Sequence, residues 1–146
     1  MHQKIERTIR ESPLFKHLEE AELDELIAAS SLQVHQTRTK VIVENEPVDF
    51  LYIVLEGQVR VWTMGPRNNE VELKCLGPGA YFGEVSLMSG NKATATVQVI
   101  RGPAEFVTID RDHLLEFIEE DEKVRKMLQG VTLARAKDTI GKVFKK

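Results

Sequence analysis

The sequence predicts an α+β domain in which helices flank an antiparallel β-roll or barrel of about eight short strands. Three observations predict it. Near both ends of the chain apolar residues recur at three- and four-residue steps, the period of an amphipathic helix. Between Leu32 and Ile109 the period falls to two and β-branched residues crowd in, as on a pleated surface. Glycine and proline turns interrupt that same stretch at close intervals, which leaves room for short strands only.

At the N-terminus Ile5 and Ile9 stand four apart and share a helix face. Pro13 ends that helix, because it biases Ser12 away from the α region, and Leu14-Phe15 forms an apolar knot after it. A second helix is predicted over Glu19 to Ser30, with Leu23, Leu26, Ile27 and Ser30 on one face and acids on the other. Val41-Ile42-Val43 then reads as strand. Glu44-Asn45-Glu46-Pro47 reads as a turn, in which Asn45 tolerates the left-handed conformation.

Phe50 to Leu55 reads as a buried strand, broken by Glu56-Gly57. Gln58 to Thr63 alternates polar and apolar, and Met64 to Asn69 is a polar hairpin loop. Glu70 to Leu76 alternates again, with Val71, Leu73 and Cys75 on one side, and Gly77-Pro78-Gly79 turns the chain. Ala93 to Ile100 and Ala104 to Ile109 are two further strands, separated by Arg101-Gly102-Pro103. Asp110 is placed to N-cap a helix with Leu114, Leu115, Phe117 and Ile118 on its apolar face. Asp121 is placed to cap a last helix, where Val124, Met127, Leu128 and Val131 fall at i, i+3, i+4 and i+7. The predicted division is therefore a helical segment over 1–31, a β-roll over 32–109, and C-terminal helices with a basic tail over 110–146.

The chain has 146 residues, the size of one domain with one core. At 42% hydrophobic and 29% charged it is too apolar to be disordered throughout. No apolar run approaches the roughly 20 residues of a membrane helix. The charged residues of 1–10 lack the apolar stretch of a signal peptide. Cys75 is the single cysteine, so an intrachain disulfide is excluded, and a reducing, cytoplasmic setting is expected. Residues 123–146 carry +7 of a total of −3, which leaves −10 on residues 1–122. A basic tail can bind nucleic acid or an anionic membrane. Here a single aromatic residue, Phe144, lies among the charges, and a solvated helix face docked on an acidic body is the simpler reading.

One segment carries recognisable chemistry: Gly77-Pro78-Gly79-Ala80-Tyr81-Phe82-Gly83-Glu84-Val85-Ser86-Leu87-Met88-Ser89-Gly90. Glycines let a backbone approach a ligand closely. Glu84 to Met88 reads as one short helical turn whose leading N–H groups form an anion site. The Glu84 carboxylate can accept from a hydroxyl, or cap the turn by itself. An anion beside a hydroxyl is what a sugar phosphate presents.

The run Phe82-Gly83-Glu84-Val85-Ser86-Leu87, then Gly90 and Ala95-Thr96-Val97, resembles the phosphate-binding cassette of the cyclic-nucleotide-binding family. That family includes the catabolite activator protein, protein kinase A regulatory subunits and cyclic-nucleotide-gated channels. Tyr52 to Val59 resembles the strand-turn-strand before the cassette, Leu76-Gly77-Pro78-Gly79 its lead-in, and Ser12-Pro13-Leu14-Phe15 the helical approach. The resemblance covers Glu11 to about Leu133. It implies a jelly-roll-like β-roll with helices at both ends and a ligand such as cAMP or cGMP, with no cofactor. It implies that Glu84 accepts from the ribose 2′-hydroxyl and that the N–H groups of Gly83, Val85 and Ser86 face sugar and phosphate. It implies further that Thr94 and Ala95 close the phosphate site and that Val71 and Leu73 pack near the base. The last helix, Val124 to Val131, would be a lid, and a surface for a protein partner or a homodimer.

The chain departs from the family where an arginine precedes the pair corresponding to Thr94-Ala95: Ala93 stands there. A guanidinium pairs with a phosphate in a bidentate fork, and losing one charge-assisted hydrogen bond costs about 1.5–3 kcal/mol. Lys92, one position earlier, points to the opposite strand face unless a loop conformation turns it. Weak binding of a cyclic nucleotide, binding of an uncharged nucleoside-like ligand, and binding of neither all follow as readings. Thr39 and Asn45 also stand where the family has turn glycines.

The remaining candidates read as structural. The four histidines have no metal-ligand spacing, and Ser86 lies outside any nucleophile elbow. Trp62 reads as a packing residue and Cys75 as a small buried hydrophobe. No catalytic residue and no metal ligand is expected, and no DNA-binding domain is visible in these residues. A sensor domain and a protein-interaction module that kept the fold are the two function classes left open.

Overall fold

The computed structural model of the chain describes residues 2–16, 18–83, 92–120, 122, 125 and 126. Helix α1 (His2–Glu11) buries Ile5 and Ile9, the pair that the spacing put on one face. Ser12 then takes an extended conformation, and its hydroxyl accepts from the Leu14 amide at 3.4 Å. Pro13 occupies the first position of a single 3-10 turn, Pro13–Phe15, where its missing N–H costs nothing. Leu14 and Phe15 are both buried.

Helix α2 (Glu20–Ala28) begins on a capping box in which the Glu22 carboxylate accepts from the Glu19 amide at 3.1 Å. It ends two residues short of the predicted Ser30, because Ser30 already belongs to the first strand. The Ser30 hydroxyl instead donates back to the Leu26 carbonyl at 2.7 Å, a second donor beside the Ala29 amide at 3.1 Å. Arg10 ties the two helices together through Glu6, Glu20 and Asp24.

The strands are β1 (Ser30–His35), β2 (Lys40–Ile42), β3 (Phe50–Met64), β4 (Glu70–Leu76), β5 (Tyr81–Phe82) and β6 (Thr96–Asp110). Among the described residues they form one antiparallel sheet of six strands in the order β1-β6-β3-β4, with β2 also on β6 and β5 also on β3. The predicted count was about eight. The difference lies in β3 and β6, which are 15 residues long each and continue through the positions read as breaks. At Glu56-Gly57 the register slips and pairing then resumes, because Gly57 takes φ +89 and absorbs the bend. A Cβ there would lie 2.7 Å from the Arg101 carbonyl oxygen, so the two long strands cross in contact at this point. Arg101-Gly102-Pro103 likewise stays extended, with the Gly102 amide donating to the Thr37 hydroxyl at 3.1 Å instead of to the ladder.

The slips divide the sheet into two halves. One joins β1, the end of β6, the start of β3 and β5. The other joins β2, the start of β6, the end of β3 and β4. Leu51 to Val54 is buried at every position, as predicted for a strand covered on both faces. The core continues through Val59, Val99, Ala104 and Phe106 to Ile109. Asp110 ends β6 and its carboxylate accepts from the Asp112 amide at 2.8 Å, which caps α3 (Arg111–Glu120) as predicted. Leu114 and Phe117 anchor α3 on the core. Of the predicted last helix only residues 122, 125 and 126 are described, all helical, while its cap Asp121 and its face Val124, Met127, Leu128 and Val131 fall outside the described residues.

On β4 the prediction for Cys75 fails. Leu73 sits at a register shift between the pairs Val61–Lys74 and Trp62–Glu72, so the alternation inverts there. Leu73 stays buried and Val71 half-buried, while Cys75 pairs with Arg60 and is exposed. Trp62 is buried, with the charged ends of Lys40 and Arg60 at 5.6 and 5.4 Å from its ring, as expected of a packing residue.

Candidate functional site

The candidate site is framed by Gly83 and Lys92, the described residues on either side of 84–91. Gly83 follows directly on β5. Phe82 stacks on Tyr52, ring planes 7° apart and centroids 4.8 Å, and both meet Phe106 edge-on at 5.6 and 5.8 Å. Burial, with a smaller contribution from Asp49, pushes the Tyr52 hydroxyl up to about 12. This aromatic trio fixes the direction in which the chain emerges at Gly83. Gly83 has φ +100, and a Cβ on it would lie 2.7 Å from the Phe50 carbonyl oxygen. Only glycine combines that backbone with that approach. The sequence marked Gly83 for closeness to a ligand. The structure adds a closeness of Gly83 to the backbone of β3 at Phe50.

Glu84, Val85 and Ser86 fall outside the described residues. The chain rejoins at Lys92, which is exposed and bridges to Pro47. Ala93 follows and is 3% exposed. Its amide donates to the Glu46 carbonyl and its carbonyl accepts from the Asn45 amide, both at 2.8 Å. The predicted strand from Ala93 therefore begins only at Thr96, because the turn over residues 44–47 takes the backbone partners of Ala93 first.

Thr94 is exposed, Ala95 half-buried and Thr96 buried. The Thr96 hydroxyl accepts from the Glu44 amide at 3.0 Å, and the Glu44 carboxylate accepts from the Met64 amide at 3.0 Å. Val71 pairs with Thr63 on β3, and Trp62 with Thr96 on β6. Ala95 directly precedes Thr96 at the start of β6, and Leu73 lies buried at the register shift of β4. The structure brings Val71, Leu73, Thr94 and Ala95 to one half of the sheet, while Gly83 issues from the other.

Sequence reasoning missed the roles of Glu44 and Thr96. Their one visible signal was a threonine at an inward, buried strand position where valine would fill the same space. Among the described residues no group of three or more His, Cys, Asp or Glu side chains is placed to hold a metal ion, and no helix is long and apolar enough to cross a membrane.

Residues 32–121 match the family model described as the cyclic nucleotide-binding domain. The chain is 31% identical over 121 residues to the cGMP-dependent protein kinase, isozyme 1, of Drosophila melanogaster, covering 80% of this chain and 16% of the kinase. The regulatory domain of Toxoplasma gondii PKA with cAMP superposes with a TM-score of 0.73 at 28% identity, covering 80% of this chain and 44% of that one. The regulatory subunit of a cAMP-independent protein kinase A from Trypanosoma brucei gives 0.75 at 22% identity, a likeness of fold, covering 86% and 46%. The chain spans less than half the length of each of these proteins.

Proposed function

The chain belongs to the cyclic-nucleotide-binding domain family, and on that premise we propose that it is a non-catalytic sensor of a cyclic nucleotide, with affinity weakened by the absence of a phosphate-pairing arginine. The observation that carries this reading is the contrast between the two ends of the site. At Gly83 the backbone has a glycine-only form beside the stacked Tyr52 and Phe82 rings, and the anion-binding turn read in the sequence would start from it. At Ala93 the side chain is a buried methyl group, with no cation to neutralise a phosphate. Gly83, Val85, Ser86, Thr94 and Ala95 would contact sugar and phosphate, Glu84 the ribose, and Val71 and Leu73 the base. Lys92 is exposed beside this segment and is the nearest cation to it in sequence. The lone Cys75 supports a reducing, cytoplasmic setting.

The buried methyl at Ala93 also favours a second reading, a protein-interaction module or a binder of an uncharged nucleoside-like ligand. The trypanosome neighbour shows that this fold occurs in a cAMP-independent kinase subunit.

Calorimetric titration with cAMP, cGMP, adenosine and guanosine separates the readings. Saturable binding of a cyclic nucleotide, weak and tighter than that of its parent nucleoside, supports the sensor. Binding of the nucleoside alone, or of none of the four, sinks it.

A further inference from the structure

Resting on that reading of the site, we propose that Glu44, Asn45 and Thr96 are positioning residues, which touch no ligand and set where the 92–95 segment stands. Ala93 carries no side chain long enough to anchor itself, and its position is fixed through its backbone. Both of its backbone polar groups are taken by the turn over 44–47, and Lys92 is bridged to Pro47 in the same small ladder. Asn45 holds the turn in the left-handed region, φ 71, a conformation that asparagine adopts at little cost.

The turn is in turn fastened at two separate points. The Glu44 amide is held by the Thr96 hydroxyl on β6, and the Glu44 carboxylate holds the Met64 amide at the end of β3. Three stretches far apart in sequence are joined in one circuit: Glu44 and Asn45, Met64, and Ala93 with Thr96. A buried threonine costs stability unless its hydroxyl is used, and at Thr96 that use is the circuit. The phosphate end of the site is therefore preorganised by the turn over 44–47 and by Thr96 at the start of β6.

The test compares Thr96→Val, Glu44→Ala and Glu44→Gln, each in the full chain and each combined with Ala93→Arg. Amide hydrogen exchange is followed by NMR, and cAMP affinity by calorimetry in the Ala93→Arg series. Thr96→Val and Glu44→Ala should speed exchange at Asn45 and Ala93 by about tenfold, with the Val99 amide unchanged, the size of one lost hydrogen bond. The same two should weaken cAMP binding about fivefold or more, and Glu44→Gln, which keeps an acceptor oxygen, should restore both values. Unchanged exchange at the two amides would overturn the circuit. Faster exchange with unchanged cAMP affinity would overturn the positioning role. No cAMP binding in Ala93→Arg itself would sink the reading of the site and the positioning role with it. That failure is recognisable because the exchange data in the unsubstituted background still report on the circuit.

Discussion

The Tyr52 and Phe82 rings lie parallel, 7° apart in plane and 4.8 Å between centroids, across the pairing of β3 with the two-residue β5. So short a strand contributes few ladder bonds beyond the two that Val54 makes with Gly79 and Ala80 at 2.8 Å, and the stacked pair with Phe106 beside it adds side-chain packing that holds β5 in place. Phe82→Ala should therefore destabilise the domain by about 3–5 kcal/mol, the range for a large aromatic removed from a core. Urea unfolding checks it. A loss under about 1 kcal/mol would mean that β5 is held by something other than this stack.

The buried Tyr52 hydroxyl titrates near 12 in the folded state and at 10 when unfolded. Its proton is bound more tightly in the native state, so this contribution to stability is complete below pH 10 and is lost as pH rises toward 12. The full amount is of order 2–3 kcal/mol. Tyr52→Phe should flatten the alkaline limb of a stability–pH curve, and an unchanged limb in that variant would assign it to other groups.

Gly57→Ala should cost at least about 1–3 kcal/mol, because it places a side chain at φ +89 and drives a Cβ into the Arg101 carbonyl and Ala104. Those two neighbours are backbone atoms and cannot swing aside. A melting temperature within a degree of the parent would show that the crossing of β3 and β6 is looser than these distances.

Ala93→Arg should strengthen cAMP binding at least tenfold, about 1.4 kcal/mol, and the gain should shrink with added salt, while adenosine shows none. The guanidinium has to grow out of a position that is now 3% exposed, so a fall in melting temperature without ligand is expected alongside. Tight binding by the parent chain, abolished by Lys92→Ala, would mean that the lysine already serves the phosphate.

Glu84→Ala should weaken a ribosyl ligand by about 1–3 kcal/mol, through loss of a charged acceptor, with little change in the apo melting temperature. Unchanged affinity would remove Glu84 from the site and leave it as a cap of its own turn.

Much of the fold was legible because its signals are local. The pairs Ile5–Ile9 and Leu114–Phe117, the four-residue buried run from Leu51 and the cap at Asp110 each depend on residues within a turn or two of one another. The errors share a cause as well. Gly57, and Arg101 to Pro103, were read as breaks because they break isolated strands, whereas here each finds a partner across the bend: Gly57 against Arg101 and Ala104, Gly102 against Thr37. Cys75 was placed on the wrong face by a single bulge at Leu73, which no alternation pattern announces. The site was legible as a motif at Gly83. The fastening of Ala93 was not, because Glu44 and Thr96 are 52 residues apart and nothing near either one signals the other.

The two long strands have a consequence for how the molecule comes apart. β3 and β6 each run through both halves of the sheet, and Phe50 pairs with Asp110 while Trp62 pairs with Thr96 on the same two strands. Neither half has a strand pair of its own that survives release of the other. Melting should therefore be all-or-none, with calorimetric and van't Hoff enthalpies in agreement. A ligand that grips one half would then protect amides in both. Occupancy at the cassette would reach α3 at the far end of β6 as a gain in cooperative stability, with no need for any element to move.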